Sequence, residues 1–269
     1  MKRLLFMLFC LSLIPMGNAQ DLKAGHIKKV KTEASGYFPS FGPGNNEIVL
    51  TGQQNQGLSL LDTRTGKIRL ITDEPVITGR VSISGDKKII FSVRGETKES
   101  TVLKAFNPEN GAIETVQPAL QPTQVVRGKG RKLEYTGAGN TTKELAPLGE
   151  VFYLWPSVSP DGSRILFTAA TKGCYVCDLE GNIVAELGKL NAPTWINDEW
   201  VLGMRDVDDG HTIQSSDILA IHVATGKTVN ITGKSAVIAL YPKASQDGRA
   251  VVFQNPAGEI YTTRIRIKK

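Results

Sequence analysis

The chain has 269 residues, a formal net charge of +6, 41% hydrophobic and 22% charged residues, and only three cysteines. This composition excludes a disordered chain and a disulfide scaffold, and leaves room for one large domain or two small ones. The positive charge is spread thinly, and no groove-entering helix or stacking motif accompanies it, so nucleic acid is not an expected partner. The densest basic cluster (Arg127, Lys129, Arg131, Lys132) reads as a solvated strand edge.

Residues 1–19 read as a cleaved signal peptide. Lys2 and Arg3 form a positive n-region, Leu4 to Ile14 a short apolar run, and Gly17-Asn18-Ala19 a small-residue cleavage site. The run is short for a bilayer span, and no second apolar segment follows it. Phe9 before Cys10 argues against a lipoprotein signal. The expectation is a periplasmic or secreted protein without a transmembrane segment after cleavage, its one domain spanning residues 20–269.

Beyond the leader the chain repeats itself. Trp155-Pro156-Ser157-Val158-Ser159-Pro160-Asp161-Gly162-Ser163-Arg164-Ile165-Leu166-Phe167 reads as a strand, a tight Asp-Gly turn and a second strand of β-branched and aromatic residues. Tyr241 to Phe253 repeats it without a gap, Phe38 to Leu50 and Pro193 to Leu202 more loosely, and Val81 to Phe91 and Val126 to Tyr135 in eroded form. The turn landmarks Gly44, Asp86, Lys129, Asp161, Asp198 and Asp247 recur at intervals of roughly 32 to 49 residues, as four-stranded propeller blades do. A second turn alternates with the first, as in Asp62-Thr63-Arg64-Thr65-Gly66 and Asn107-Pro108-Glu109-Asn110-Gly111.

Pro39, Pro156, Pro193 and Pro242 each stand five positions before the landmark. A residue without an amide belongs on an edge strand, here the innermost one lining the channel. Ile165-Leu166-Phe167 and Val251-Val252-Phe253 do not alternate, which predicts a second strand covered on both faces. Six landmarks predict an all-β, six-bladed propeller of four-stranded blades. The last copy ends on a third strand, so His26 to Lys31 is expected to return as the missing outer strand and close the ring. The blade over residues 123–154 fits least well, because Glu144-Leu145-Ala146-Pro147-Leu148 interrupts its pattern. Cys174 and Cys177 fall within one strand, where residues three apart face opposite ways, so they read as buried small hydrophobes and not a redox pair.

The Pro-Ser-Val-Ser-Pro-Asp-Gly-Ser-Arg-Ile-Leu-Phe core resembles the WD40-like Pro-Asp repeat of TolB-type six-bladed propellers, which are common in exported bacterial proteins. The resemblance is close over residues 155–168 and 241–253. It implies the fold; the motif is structural in that family and carries no catalytic residue with it.

In such an architecture, loops leading into inner strands and loops joining second to third strands gather at one channel mouth. The candidate ligand-binding residues there are Tyr37, Arg80, Tyr153, Trp155, Trp195, Arg205, Asp206 and Tyr241, with Phe38 beside them. The loop from Arg205 to His211 carries Asp206, Asp208 and Asp209, weak calcium candidates whose spacing is not that of an EF-hand. No histidine pair has metal-ligand spacing, no nucleophile elbow exists, and no cofactor motif is present. The function expected first is a non-catalytic, monomeric binding module for an envelope protein or peptide, or for a glycan. The alternative is a carbohydrate-active lyase or hydrolase with its site at the channel mouth, built from residues of different blades without a contiguous signature.

Overall fold

The computed structural model describes residues 21–77, 81–95, 100–116, 124–137, 139 and 141–268; the leader over residues 1–19 lies outside them. The chain folds as a six-bladed β-propeller, each blade a separate antiparallel sheet. Two short strands come first, β1 (Leu22–Ala24) and β2 (Lys28–Lys29). Blade 1 holds β3 (Tyr37–Phe41), β4 (Glu47–Thr51), β5 (Gln56–Asp62) and β6 (Ile68–Pro75). Blade 2 holds β7 (Ser82–Ile83), β8 (Ile89–Arg94), β9 (Thr101–Phe106) and β10 (Ile113–Thr115). Blade 3 consists of β11 (Val125–Lys129), β12 (Lys132–Thr136) and β13 (Thr142–Leu145). Blade 4 runs through β14 (Tyr153–Val158), β15 (Arg164–Ala169), β16 (Gly173–Asp178) and β17 (Ile183–Gly188). Blade 5 comprises β18 (Asn191–Trp195), β19 (Trp200–Asp208), β20 (Ile213–His222) and β21 (Thr228–Asn230). Blade 6 combines β22 (Leu240–Ala244), β23 (Ala250–Gln254) and β24 (Ile260–Ile267) with β1 and β2.

Five of the six landmarks sit between the first and second strand of a blade, and Lys129 is the last residue of β11, at the turn into β12. The repeat owes its persistence to a local bonding pattern. The Ser84, Ser159 and Ser245 hydroxyls donate to Asp86, Asp161 and Asp247 at 2.5, 2.5 and 2.6 Å. Each serine oxygen in turn accepts a backbone N–H from the start of the second strand, at 2.9 Å from Lys88, Arg164 and Ala250. The glycine after the aspartate takes φ of 76° at Gly162 and 65° at Gly248, a region that a Cβ makes costly.

The N-terminal segment closes the ring, and it does so earlier in the chain than the pattern predicts. Lys28 and Lys29 pair with Thr262 and Tyr261, but pairing also runs from Leu22, opposite Ile267, to Ala24, opposite Ile265. Leu22 is buried among Trp200, Ile218 and Ile265, and Val30 among Ile48, Leu50 and Ile260. These two anchors are what hold the segment.

Blade 3 departs from the four-strand expectation, having three strands among the described residues. After β13 the chain passes Pro147 and a turn at Gly149 and returns directly to the next inner strand. The Tyr153 hydroxyl fastens that short route, donating to the Gly149 carbonyl at 2.7 Å and accepting from the Leu148 N–H at 3.0 Å.

Second strands supply the core. Phe91, Phe167 and Phe253 occupy one position in blades 2, 4 and 6 and have no exposed surface; each contributes roughly 1.5–3 kcal/mol of burial. Buried clusters join blades 1 and 2, 3 and 4, 4 and 5, 5 and 6, and 6 and 1. Among the described residues none joins blades 2 and 3. Cys174 packs into the cluster toward blade 5 and Cys177 into the one toward blade 3, so the two thiols face opposite ways, as strand geometry requires. No helix of the described residues is long and apolar enough to cross a membrane.

Candidate active site at the channel mouth

The four prolines do more than mark inner strands. In each blade that carries one, the residue before it has positive φ: 49° at Phe38, 48° at Trp155, 45° at Ala192 and 52° at Tyr241. The pairing with the second strand shifts at the same place in all four, between Tyr37 and Ser40, Leu154 and Ser157, Asn191 and Thr194, and Leu240 and Lys243. Each inner strand is therefore bulged just below the channel mouth, a device that re-aims a side chain. Backbone strain of this kind persists only where the surroundings hold it. The holding groups are visible: Thr51 Oγ1 donates to the Tyr37 carbonyl at 3.0 Å, Thr168 Oγ1 to that of Leu190 at 2.9 Å and Ser216 Oγ to that of Ala239 at 2.6 Å. Gln254 Oε1 accepts the Phe38 N–H across the closing seam.

The bulges put an aromatic ring at the same level in three blades, Phe38, Trp155 and Tyr241, and leave a gap at Ala192. Phe38 and Tyr241 pack ring to ring with centroids 4.5 Å apart and planes tilted by 52°. Trp155 is 41% exposed.

Beside the gap, β19 and β20 outrun their own inner strand. Asn191, the first residue of β18, pairs with Met204, so the stretch from Arg205 onward rises past it as a two-stranded arm. Asp206 on that arm accepts a hydrogen bond from Asn191 Nδ2 at 2.9 Å. Its charge also acts on Tyr241, whose phenol is raised above its ordinary pKa first by burial and then by the Asp206 carboxylate. Arg205 is exposed, its guanidinium 3.9 Å from the Asp217 carboxylate. Deeper on β22, Lys243 stands where the other bulged strands carry Ser40, Ser157 and Thr194. Lys243 is half-buried, and desolvation by the surrounding protein lowers its pKa; no hydrogen bond or ion pair reaches it among the described residues. Ser157 Oγ, at the same position of blade 4, is buried and has no partner among the described residues. Unpaired buried polar groups are rare enough to call for a reason.

The sequence-derived candidates divide three ways. Trp155, Tyr241, Asp206 and Arg205 lie at the mouth. Tyr37 lies at the mouth rim, its ring against Gly258. Tyr153 and Trp195 sit in the interior, 4% and 8% exposed, with Tyr153 bonded as above and Trp195 bridging blades through Nε1 to the Ser157 carbonyl at 3.4 Å. Arg80 lies outside the described residues. Asp206, Asp208 and Asp209 do not converge: Asp208 accepts the Gly210 N–H and Asp209 those of His211 and Thr212, each carboxylate closing its own turn. No group of three metal-ligating side chains is found among the described residues. Asn191 and Lys243 were not singled out by sequence. Aligning the repeats on the proline would have exposed Lys243 as the one cation in a position of serines and threonine.

Comparison with protein-family models and with curated protein sequences finds no match. Among solved structures the fold is shared with a gluconolactonase from Xanthomonas campestris, at TM-score 0.58 and 6% identity over 89% of both chains. It is also shared with a chain of a mitotic checkpoint complex, at TM-score 0.55 and 13% identity over 98% of both chains. An oligogalacturonate lyase from Vibrio parahaemolyticus is more distant, at TM-score 0.47 and 12% identity over 87% of this chain and 79% of that one. The first two likenesses support the propeller fold that the six sheets define. They also correct the functional expectation placed first. A non-catalytic binding module was preferred because no catalytic motif is readable along the chain, yet an enzyme spans nearly the same length on this architecture. A propeller gathers its site from separate blades, so a missing linear motif does not argue for a merely binding role.

Proposed function

We propose that the protein is a carbohydrate-active propeller enzyme, a lyase or hydrolase of a glycan, with its site at the channel mouth around blades 5, 6 and 1. The observation that carries this reading is the Asp206 carboxylate, oriented by Asn191 at 2.9 Å and acting on the Tyr241 phenol beside aromatic faces at which a sugar ring can stack. Asp206 is the proton-accepting carboxylate, taking a proton from water in hydrolysis or from the carbon next to a uronate carboxyl in elimination. Tyr241 shares that proton or donates one to the leaving oxygen. Lys243, its ammonium disfavoured by burial, supplies a cation or a neutral amine deeper in the channel. The enzyme known as gluconolactonase among the fold's relatives lends the class plausibility but names no substrate for this chain. Kinship with the TolB-type propellers and export through the leader over residues 1–19 belong to the same proposal; they rest on the repeat core and on the Lys2-Arg3 leader pattern.

The test is turnover on a panel of neutral polysaccharides, polyuronates and sugar lactones, followed by new reducing ends and by the ultraviolet absorbance of a new double bond. Asp206→Asn is expected to lower kcat by about 100-fold or more while leaving the melting transition in place. An inactive wild type across the panel, or turnover that survives Asp206→Asn, would overturn the reading.

A further inference from the structure

A second recess lies where the closing strands meet blade 1. It is a cleft of about 750 Å³, within the size range of small-ligand sites. Its outer wall carries Lys23, Lys28, Arg264 and Arg266, and its inner wall the turn residues Asn45 and Asn46. Strand register places the four cations on one face: Lys23 stands directly opposite Arg266 and Lys28 opposite Thr262, while Thr262, Arg264 and Arg266 alternate along β24.

Like charges directly opposite one another on adjacent strands destabilise a sheet, and among the described residues no salt bridge relieves them; Asp21, bonded to Lys227, acts on Lys23 only at longer range. Neighbouring cations are treated differently. Lys29 pairs with Glu259 at 2.5 Å and Lys227 with Asp21, whereas among the described residues no ion pair reaches Lys23, Lys28, Arg264 or Arg266. The carboxylate in the cleft wall, Glu47, is turned onto the Gly44 N–H at 2.8 Å. A merely solvated edge would be expected to mix its charges, as the Arg127–Lys132 hairpin does with Glu134 and Glu144.

We propose that this cleft binds a soluble ligand bearing two or more phosphate or sulfate groups. Guanidinium forks match such oxyanions bidentately, and Arg264 and Arg266, two residues apart on one strand face, set their side chains about 7 Å apart. That spacing fits two oxyanions joined by a short linker better than one. The Asn45 and Asn46 amides supply donors from the facing wall. The cleft is separate from the channel mouth, so its occupant need not be the substrate.

Calorimetric titration of the full chain with inorganic tripolyphosphate and with sucrose octasulfate, at low ionic strength, tests this. A dissociation constant below about 1 mM is expected for at least one probe, weakening as salt is added. Arg264→Gln with Arg266→Gln should weaken it at least tenfold, and Trp155→Ala at the mouth should leave it unchanged. Should the arginine pair fail to fold, Lys23→Gln with Lys28→Gln carries the same expectation. No heat from either probe, or heat that the cleft variants leave unaltered, would overturn the site. Sedimentation with phosphatidylglycerol vesicles that the variants abolish, when neither soluble probe binds, would overturn the soluble ligand in favour of a lipid headgroup.

Discussion

Phe38 and Tyr241 meet ring to ring across the seam between the first and last blades, 4.5 Å between centroids, and each reaches that contact from a positive-φ residue immediately before a proline. The seam that closes the propeller is thus also a wall of its channel mouth. Anything that loosens closure is expected to reach the candidate site.

Removal of the chain through Val30 should therefore cost both stability and activity. Leu22 and Val30 each bury an aliphatic side chain, and their loss is expected to destabilise the fold by at least about 3 kcal/mol. It would also leave β24 as an open edge prone to self-association. Thermal unfolding and light scattering of the truncated protein check both effects.

Two tryptophans separate the site from the scaffold. Trp155→Ala removes a ring that is 41% exposed, and its stability should stay within about 0.5 kcal/mol of wild type while glycan affinity falls. Trp195→Ala removes a buried ring over which Arg164 lies at 5.7 Å, and should cost about 3–5 kcal/mol. Denaturant unfolding of the pair reads the difference.

Burial pushes the thiols of Cys174 and Cys177 up to about 12. Neither is expected to react with a thiol-specific aromatic disulfide in the native protein near pH 8, because the thiolate is the nucleophile. Both should react on unfolding, and no disulfide should form between them under mild oxidation. Stoichiometric thiol titration with and without denaturant measures this.

Lys243 should respond to pH in a defined direction. Its folded-state pKa lies below that of the unfolded chain, so between the two values the unfolded state holds the extra proton and stability rises with pH. Lys243→Met is expected to raise Tm by about 2 °C or more at pH 7, an advantage that shrinks as pH climbs toward 10. If the proposed activity uses this amine deeper in the channel, the same variant should also lose turnover, an effect that a purely structural role would not produce.

Asp161 behaves oppositely. Hydrogen bonds from the Ser159 hydroxyl and the Ser163 N–H hold its carboxyl at about 2, so its contribution is complete above about pH 4 and lost as pH falls through about 2. Asp161→Asn should lower Tm at pH 6, and the gap to wild type should close in strong acid. Melting curves across that range decide it.

The parts legible in the sequence were those written locally. The Ser-x-Asp turn closes on itself within about six residues, so Asp86, Asp161 and Asp247 announce their hairpins without help from the rest of the chain. The covered second strands were equally readable from Ile165-Leu166-Phe167 and Val251-Val252-Phe253. Leu22 was not, because a three-residue strand with one apolar residue has no period to detect. The interior placement of Tyr153 and Trp195 depends on which blade lies next to each, and the Asn191–Asp206 contact joins residues whose pairing is set by how far β19 outruns β18. The prolines were read as edge markers, when their shared offset also encoded the bulge that aims Phe38, Trp155 and Tyr241.

The unequal distribution of buried clusters has a mechanical consequence. Five interblade contacts are cemented by apolar side chains, and the sixth, between blades 2 and 3, has no such cluster among the described residues. The molecule resembles a bracelet whose clasp, at blade 6, is cemented on both sides, toward blade 5 and toward blade 1. Under heat or load that clasp should hold, keeping the mouth residues of blades 5, 6 and 1 together while other joints of the circle part.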